Sequence, residues 1–297
     1  MINVIASPKE IGDIIKLKQA GANSVILGTP FFSVRAVSHF DNETLKEIKK
    51  ICIYNEIQMY VLMNRFFVEE ELKALRTQLA YLKDIDVDGI YFTDMGVFYE
   101  AEKLGLQNKL IYNPDTIITN HLDVNAYLAL GLKMCTLSKE ITLEDMVKMG
   151  KQIKGESEVI VHGRLNMMHS KRNLLTNYMQ FLNKDIDLRD KQDLYLMEES
   201  REEHMPIVED EHGTHVYTGF TLCSFEEIED LIKAGIRNFR IESMFMDIEA
   251  IVQIIQDYCK VIEDPERGRE LYQKYQTEYP QENITKGFLY KKTGLVK

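Results

Sequence analysis

The sequence predicts an α/β fold of the TIM-type (β/α)8 barrel class, and three observations predict it. Short apolar runs alternate with amphipathic stretches along nearly all of the 297-residue chain. The phrase LKQAG at 17–21, ahead of the apolar run 25–27, returns as LIKAG at 231–235 ahead of 239–241, with a fainter echo over 82–92. Recurrence of helix, small turn and strand marks repeated βα units that share one core, not separate domains. The residue one or, at Asp94, two positions past each apolar run is also small or polar: Ser7, Gly28, Asn64, Asp94, Asn113, Ser138, His162 and Glu242. In a barrel the carboxyl ends of the strands converge on one face, so these eight positions outline a polar bowl.

Each element has its own local reason. Residues 2–6 form the first strand, and Ser7, Pro8 and Glu10 read as a capping box with proline at the first helical position. That helix runs to Ala20, where Gly21 permits a left-handed cap. Strands follow at 24–27, 59–63, 90–92, 110–112 and 134–137. The helices between them begin near Glu43 and Val68, end near Leu106, cover 122–130, and open at Thr142 with Asp145 to close at Gly150. The seventh strand is 159–161. An antiparallel hairpin is inserted after it at 193–220, with 195–197 and 216–217 flanking the turn at Glu211, His212 and Gly213. Ser224 to Glu227 then cap the seventh helix, 239–241 is the eighth strand and 248–262 the eighth helix. Residues 265–297 add a C-terminal helix and a basic tail, and the whole of 1–297 reads as one domain.

Composition narrows the function classes. With 45% hydrophobic and 28% charged residues the chain is globular, and no apolar run approaches the ~18 residues of a membrane span. No membrane is expected as a partner, and the N-terminus MINVIASPKE reads as a strand and not a signal peptide, so the expected location is cytoplasmic. Cys52, Cys135, Cys223 and Cys259 are scattered without a CxxC pair, which speaks for reduced thiols. A net charge of −11 excludes a broadly basic nucleic-acid surface but allows a local patch, the most basic segment being KGFLYKKTGLVK at 286–297, for which a solvated tail is the simpler reading. The acidic run 198–211 reads as a solvated face or a docking site for a basic partner. Serine-hydrolase, zinc-protease, Walker and dinucleotide-binding motifs are all absent. His212 and His215 stand three apart, and on a strand they face opposite ways, so no metal site is expected.

The segment ESEVIVHGRLNMMHSKRNLLTNY at 156–178 is the most informative stretch. An apolar strand stops at a loop crowded with donors: His162, Arg164, Asn166, Lys171, Arg172, Asn173 and Asn177. It resembles the signature of the U32 peptidase family, with Glu158, His162, Gly163, Ser170, Leu174, Leu175, Asn177 and Tyr178 at family positions. The likeness extends to Gly28, Phe32, Ser33 and Arg35, to Asn120, and to Arg240, Ile241 and Glu242. Two signature cysteines are replaced by Asn166 and Asn173, leaving an apparent counterpart only at Cys223. In relatives those cysteines belong to a set of four that binds an iron–sulfur cluster. A lone thiolate cannot hold one, so no bound cofactor is expected here.

The resemblance implies a choice of functions. Family members are associated with hydroxylating the wobble uridine of tRNA in a prephenate-dependent route, with a quinone hydroxylation, and with a collagenase-type peptidase assignment. This short, cysteine-poor chain is similar to the smaller of two Gram-positive paralogues. The favoured expectation is a subunit of tRNA wobble-uridine 5-hydroxylation, partnered by a longer paralogue that supplies the cluster, with tRNA as a further partner and prephenate as a co-substrate. The alternatives are a U32-type peptidase, with Cys223 as nucleophile beside His162, or a non-catalytic scaffold. A cysteine just before a helix cap is more often a small buried residue. The candidate catalytic residues are His162, Glu242, Asp94 and Cys223. Candidate substrate-binding residues are Arg35, Asn64, Asn120, Arg164, Asn166, Arg172, Asn173, Asn177 and Tyr178. Arg172 is expected at the rim, its planar fork gripping a phosphate or carboxylate, with pairing to Glu158 or Glu242 as the structural rival.

Overall fold

In the computed structural model, which describes residues 2–197, 199 and 203–291, the chain alternates strands and helices through its first seven strands before an inserted antiparallel sheet interrupts the pattern. In order it forms β1 (Asn3–Ala6), α1 (Asp13–Ala20), β2 (Ser24–Leu27), α2 (Asn42–Tyr54), β3 (Gln58–Met63), α3 (Leu72–Asp84) and β4 (Gly89–Phe92). It continues through α4 (Met95–Lys103), β5 (Leu110–Tyr112), α5 (His121–Ala129), β6 (Met134–Thr136), α6 (Leu143–Gly150) and β7 (Glu156–Gly163). Next come β8 (Asn166–Ser170), α7 (Leu174–Phe181), β9 (Tyr195–Leu196), β10 (Met205–Asp210), β11 (Gly213–Tyr217) and β12 (Thr221–Cys223). The last elements are α8 (Ile228–Lys233), β13 (Asn238–Ile241), α9 (Ile248–Glu263), α10 (Arg267–Glu278) and β14 (Ile284–Thr285).

β1 to β7 pair side by side and in parallel, and β13 pairs with both β7 and β1, closing the expected eight-stranded barrel. Strands of such a barrel are covered on both faces, which is why they read as continuous apolar runs. One core lies between strands and helices. A smaller one fills the barrel itself, where Ile5, Ile26, Tyr60, Leu62, Tyr91, Ile111 and Met134 meet. Among the described residues, no helix is long and apolar enough to cross a membrane.

Several local expectations change. α1 begins at Asp13, not at the Ser7 capping box; the buried Asp13 carboxylate accepts from Lys9 N and Glu10 N (3.2 and 3.1 Å) and turns the chain into the helix. Gly21 does close it, at φ 114°. Thr142 caps α6 through Asp145 N as expected, whereas Ser224 makes no side-chain cap and 225–227 is a 3-10 turn. The inserted hairpin is β10 and β11, joined at Glu211 and His212, but it belongs to a larger four-stranded antiparallel sheet, β8-β11-β10-β9. The insertion therefore starts at β8, in the second half of the signature loop, because β8 pairs with β11. Within the basic tail Lys286 is held by Glu226 and Glu227 (2.7 and 2.8 Å) and lies over the Tyr272 ring; residues 292–297, and part of the acidic run, fall outside the described residues.

Inside the barrel a buried ion pair spans neighbouring strands. Glu158 on β7 accepts from Tyr91 OH and from Thr136 Oγ1 (2.9 Å), and lies 3.1 Å from Arg240 Nη1 on β13. Burial pushes the Glu158 carboxyl up despite Arg240, while the two flanking carboxylates hold Arg240 in its charged form against its own burial.

His162 is the main correction. The β7–β13 register shifts between Arg240 and Ile241, and this irregularity breaks the in-out alternation of β7. His162 packs into the outer layer against Phe225, Tyr258 and Tyr275, with Nδ1 3.4 Å from Tyr258 OH. Tyr258 OH in turn donates to Val161 O (2.7 Å). Burial lowers the imidazole from 6.5 to about 3, so His162 is a neutral packing residue and not an acid or base of the bowl.

Two predictions follow from these buried groups. Glu158→Leu leaves Arg240 buried with one fewer carboxylate and no means of neutralising itself, so it should cost about 3–5 kcal/mol in urea unfolding at neutral pH. Arg240→Met should cost less, because Glu158 can take up a proton; equal losses would contradict this assignment. For His162 the unfolded chain binds the proton that the folded chain excludes. Stability is thus present above pH 6.5 and lost as pH falls toward 3, by up to about 1.4 kcal/mol per pH unit. His162→Phe should flatten the wild-type loss between pH 6.5 and 4, and an unchanged slope would place the titration elsewhere.

Candidate functional site

At the carboxyl ends of the barrel strands lies a cleft of about 550 Å³, walled on one side by the inserted sheet. Its mouth is lined by Phe31, Arg65, Phe66, Lys171, His169 and His212 among others. A narrower chamber continues beneath it to Asn113, Glu242, Arg240 and Tyr217, and the two share Arg35, Asn64, Asp115, Lys139 and Asn166.

The loop after β2 shows how the fold builds this site. Ser33 Oγ donates to Leu62 O (2.8 Å) and accepts from Thr29 N (2.7 Å). Asn64 clamps Val34 from both sides, its Oδ1 accepting from Val34 N and its Nδ2 donating to Val34 O, each at 3.0 Å. The next residue, Arg35, is thereby held at φ 55° with its guanidinium aimed into the cleft. Gly28 is required because a Cβ there would overlap Ala36 and the Ser38 carbonyl on the returning loop. Gly163, at φ 112°, likewise lets the Glu242 carbonyl pack against it.

Arg35 Nη2 lies 2.7 Å from Asp115 Oδ2, and Lys139 Nζ 3.3 Å from Asp115 Oδ1. Burial lowers the Lys139 pKa, with Arg35 adding to the effect and Asp115 opposing it. Burial likewise opposes ionisation of Asp115, but the two cations outweigh it and its pKa is lowered. Glu242 is taken by Arg240 (2.6 Å). Arg240 is thus answered by two carboxylates, Glu158 and Glu242, whereas Arg35 and Lys139 share the single carboxylate of Asp115. An anion is the complement of two cations that share one carboxylate. Asn113 Oδ1, Tyr217 OH and Arg240 Nε are buried there without hydrogen-bond partners among the described residues, a concentration of unpaired polar atoms that favours a polar ligand.

The mouth has a different character. Phe66 is 48% and Phe31 37% exposed. Arg65 lies over the Phe31 ring (4.2 Å) and near Phe67 (5.3 Å), braced by Glu71, while Lys171 Nζ donates to Phe66 O (3.4 Å). Exposed aromatic faces flanked by cations are suited to stacking a nucleobase beside its phosphate.

Of the residues singled out from sequence, the structure brings Arg35, Asn64, Arg164, Asn166 and Glu242 to the cleft. Asn166 accepts from Arg35 (3.4 Å), and Arg164 donates to Thr218 O and reaches Glu282 (3.1 and 3.4 Å). Others serve different ends. Asp94 caps α4, its oxygens taken by Gly96 N and Phe67 N (2.7 and 2.9 Å), and Asn120 caps α5 through Leu122 N and Asp123 N (3.0 and 3.1 Å). Cys223 is fully buried on β12, and burial pushes its thiol up to about 12, which removes it as a nucleophile at neutral pH. Asn173 opens α7, and Asn177 and the exposed Tyr178 lie on that helix, away from the cleft lining. Arg172 is exposed beyond the end of β8, and the carboxylates proposed to brace it, Glu158 and Glu242, belong to Arg240. Its neighbour Lys171 reaches the mouth instead.

Asp115, Lys139, Arg65 and Phe66 were missed, and their signal was nearby: each stands one or two residues beyond a strand-end position. The donor set does not fit an iron–sulfur cluster. Amides stand at 166 and 173, and the four thiols sit on α2, β6, β12 and α9, with burial pushing Cys52, Cys135 and Cys223 up to about 12.

Comparison with known proteins agrees with this architecture. The chain is 27% identical to "tRNA hydroxylation protein P2" of Bacillus subtilis (strain 168), over 98% of both chains. It is 24% identical to "tRNA hydroxylation protein P1" of the same organism and 23% identical to "tRNA hydroxylation protein P" of Escherichia coli (strain K12). Those alignments cover 86% and 84% of this chain but 63% and 65% of the relatives, so the chain spans less than two thirds of their length. The solved "Structure of the U32 Peptidase Mk0906" superposes with a TM-score of 0.50 at 11% identity, over 81% of this chain and 92% of that one, which supports the barrel. A model described as "Peptidase family U32" matches residues 11–295, and the chain therefore belongs to that family.

Proposed function

We propose that this chain is a subunit of a system that hydroxylates the wobble uridine of tRNA, and that its cleft binds and orients the target nucleotide. The observation that carries the reading is the two-zone cleft: Phe31, Phe66, Arg65 and Lys171 at the mouth, above a floor where Arg35 and Lys139 share the one carboxylate of Asp115. The mouth suits a splayed base and its phosphate, and the floor suits a small anion such as prephenate. The similarity to tRNA hydroxylation protein P2 over 98% of both chains supports the same reading. On this proposal a longer paralogue that retains its cysteines supplies the iron–sulfur cluster. The peptidase alternative is disfavoured because Cys223 and His162 are both buried and uncharged.

Deleting the gene should lower 5-hydroxyuridine in tRNA, measured by mass spectrometry of nucleosides in a strain without a redundant route. Restoring the wild-type gene should recover it. Arg35→Ala should not, although the variant should fold, since Asp115 keeps Lys139 as its partner. An unchanged 5-hydroxyuridine level in the deletion strain would contradict the proposal, and full recovery by Arg35→Ala and Lys139→Ala would leave the chain a scaffold. Anaerobically purified protein should carry iron and acid-labile sulfide far below one equivalent; a stoichiometric cluster would overturn the assignment to the paralogue.

A further inference from the structure

The wall of the cleft contributed by the inserted sheet holds a chain of titratable groups that the reading above does not use. His169 on β8 and His215 on β11 are cross-strand partners, their rings nearly parallel (12°, centroids 4.7 Å apart) and their Nδ1 atoms 3.1 Å apart. His215 is 1% exposed, and its Nε2 lies 3.3 Å from the Asp210 carboxylate. That carboxylate is oriented in turn by His212 N, which donates to Oδ1 at 2.8 Å. His169 lines the mouth of the cleft.

The proton positions along this chain are determined by its fixed end. Burial opposes ionisation of Asp210, but the bond from His215 and the neighbouring charges outweigh it, so the carboxylate is ionised and can only accept. His215 Nε2 must then carry a hydrogen. In the tautomer where the Asp210 carboxylate holds the hydrogen on His215 Nε2, His215 Nδ1 is the lone pair and His169 Nδ1 is the donor across the 3.1 Å contact. His169 Nε2 is left bare. Burial, His215 and Arg35 together hold the His169 imidazole down at about 4, while Asp210 and Asp115 pull the other way, which keeps one ring nitrogen unprotonated at neutral pH.

We propose that Asp210, His215 and His169 form a tautomer-setting chain that presents the His169 Nε2 lone pair to the cleft, making His169 the residue that reads a hydrogen-bond donor on the ligand. The tautomer follows from this chain's own geometry; the identity of the ligand rests on the RNA reading. For a base stacked at the mouth, the matching donor is the ring N3–H of uracil. Cytosine presents an acceptor at that position and would face lone pair to lone pair. His169 thereby selects uracil over cytosine, and Asp210 and His215 are positioning residues that act through it.

The test has two arms on the full chain. Two-bond ¹H–¹⁵N spectra of histidine-labelled protein at neutral pH should show His169 protonated at Nδ1 and bare at Nε2. A protonated His169 Nε2 overturns the proposal whatever the RNA data show. In the second arm two RNA hairpins differing only by uridine or cytidine at one loop position are titrated. Wild type should prefer the uridine hairpin about tenfold, roughly one hydrogen bond's discrimination, and His169→Ala should bind both alike. Asp210→Asn can donate to His215 Nε2, which reverses the chain and should move the preference toward cytidine; its spectrum should show the His169 tautomer inverted. A uridine preference that survives in His169→Ala overturns the proposal. Failure of wild type to bind either hairpin, with the expected tautomer present, overturns the RNA reading instead.

Discussion

The buried contact between Glu158 and Arg240 is the constraint around which the barrel interior and the cleft are arranged. Glu158 gathers Tyr91, Thr136 and Arg240 from three other strands onto one carboxyl group, in a place where water cannot substitute for any of them. Arg240 cannot shed its charge, so it must be answered from both sides, by Glu158 below and Glu242 above. The pair therefore ties the packed interior to the floor of the cleft. It also explains why Glu158, in the stretch that resembles the family signature, lies below the site and not in it.

Above that floor the site is made by short loops and one insertion. The loop after β2 is clamped by Ser33 and Asn64 so that Arg35 meets Asp115, and Lys139 arrives from the loop after β6 to share the same carboxylate. The inserted sheet supplies the facing wall, where β8 carries both Asn166 and His169. A cluster-binding relative would need thiolates at 166 and 173. Here the first of those positions is an amide that accepts from Arg35, so the loop offers a hydrogen-bonding group at that point and not a thiolate.

The barrel was legible in the sequence because its strands are buried on both faces and its units recur, so apolar runs marked all eight strands and an Ala-Gly turn preceded two of them. The bowl was legible only in part. Taking the residue after each strand as inward-facing holds while the alternation is regular, and at His162 a register shift breaks it. Asp94 and Asn120 were polar at the right places for a different reason: helix N-termini leave backbone N–H groups unpaired and side-chain oxygens satisfy them. Lys139 and Asp115 lie just past the strand ends, in loop positions whose direction no periodicity encodes. The pairing of His169 with His215 depends on the register of β8 against β11, across a sequence separation that a local pattern cannot reveal.

The account turns on whether a tRNA base enters this cleft. Photo-cross-linking answers that directly, using tRNA with 4-thiouridine at the wobble position and peptide mapping by mass spectrometry. The account predicts cross-links to the mouth of the cleft, at Phe31, Phe66 or His169, that are lost when excess unlabelled tRNA competes. Cross-links confined to the outer helices, or to residues remote from the carboxyl ends of the barrel strands, would contradict it.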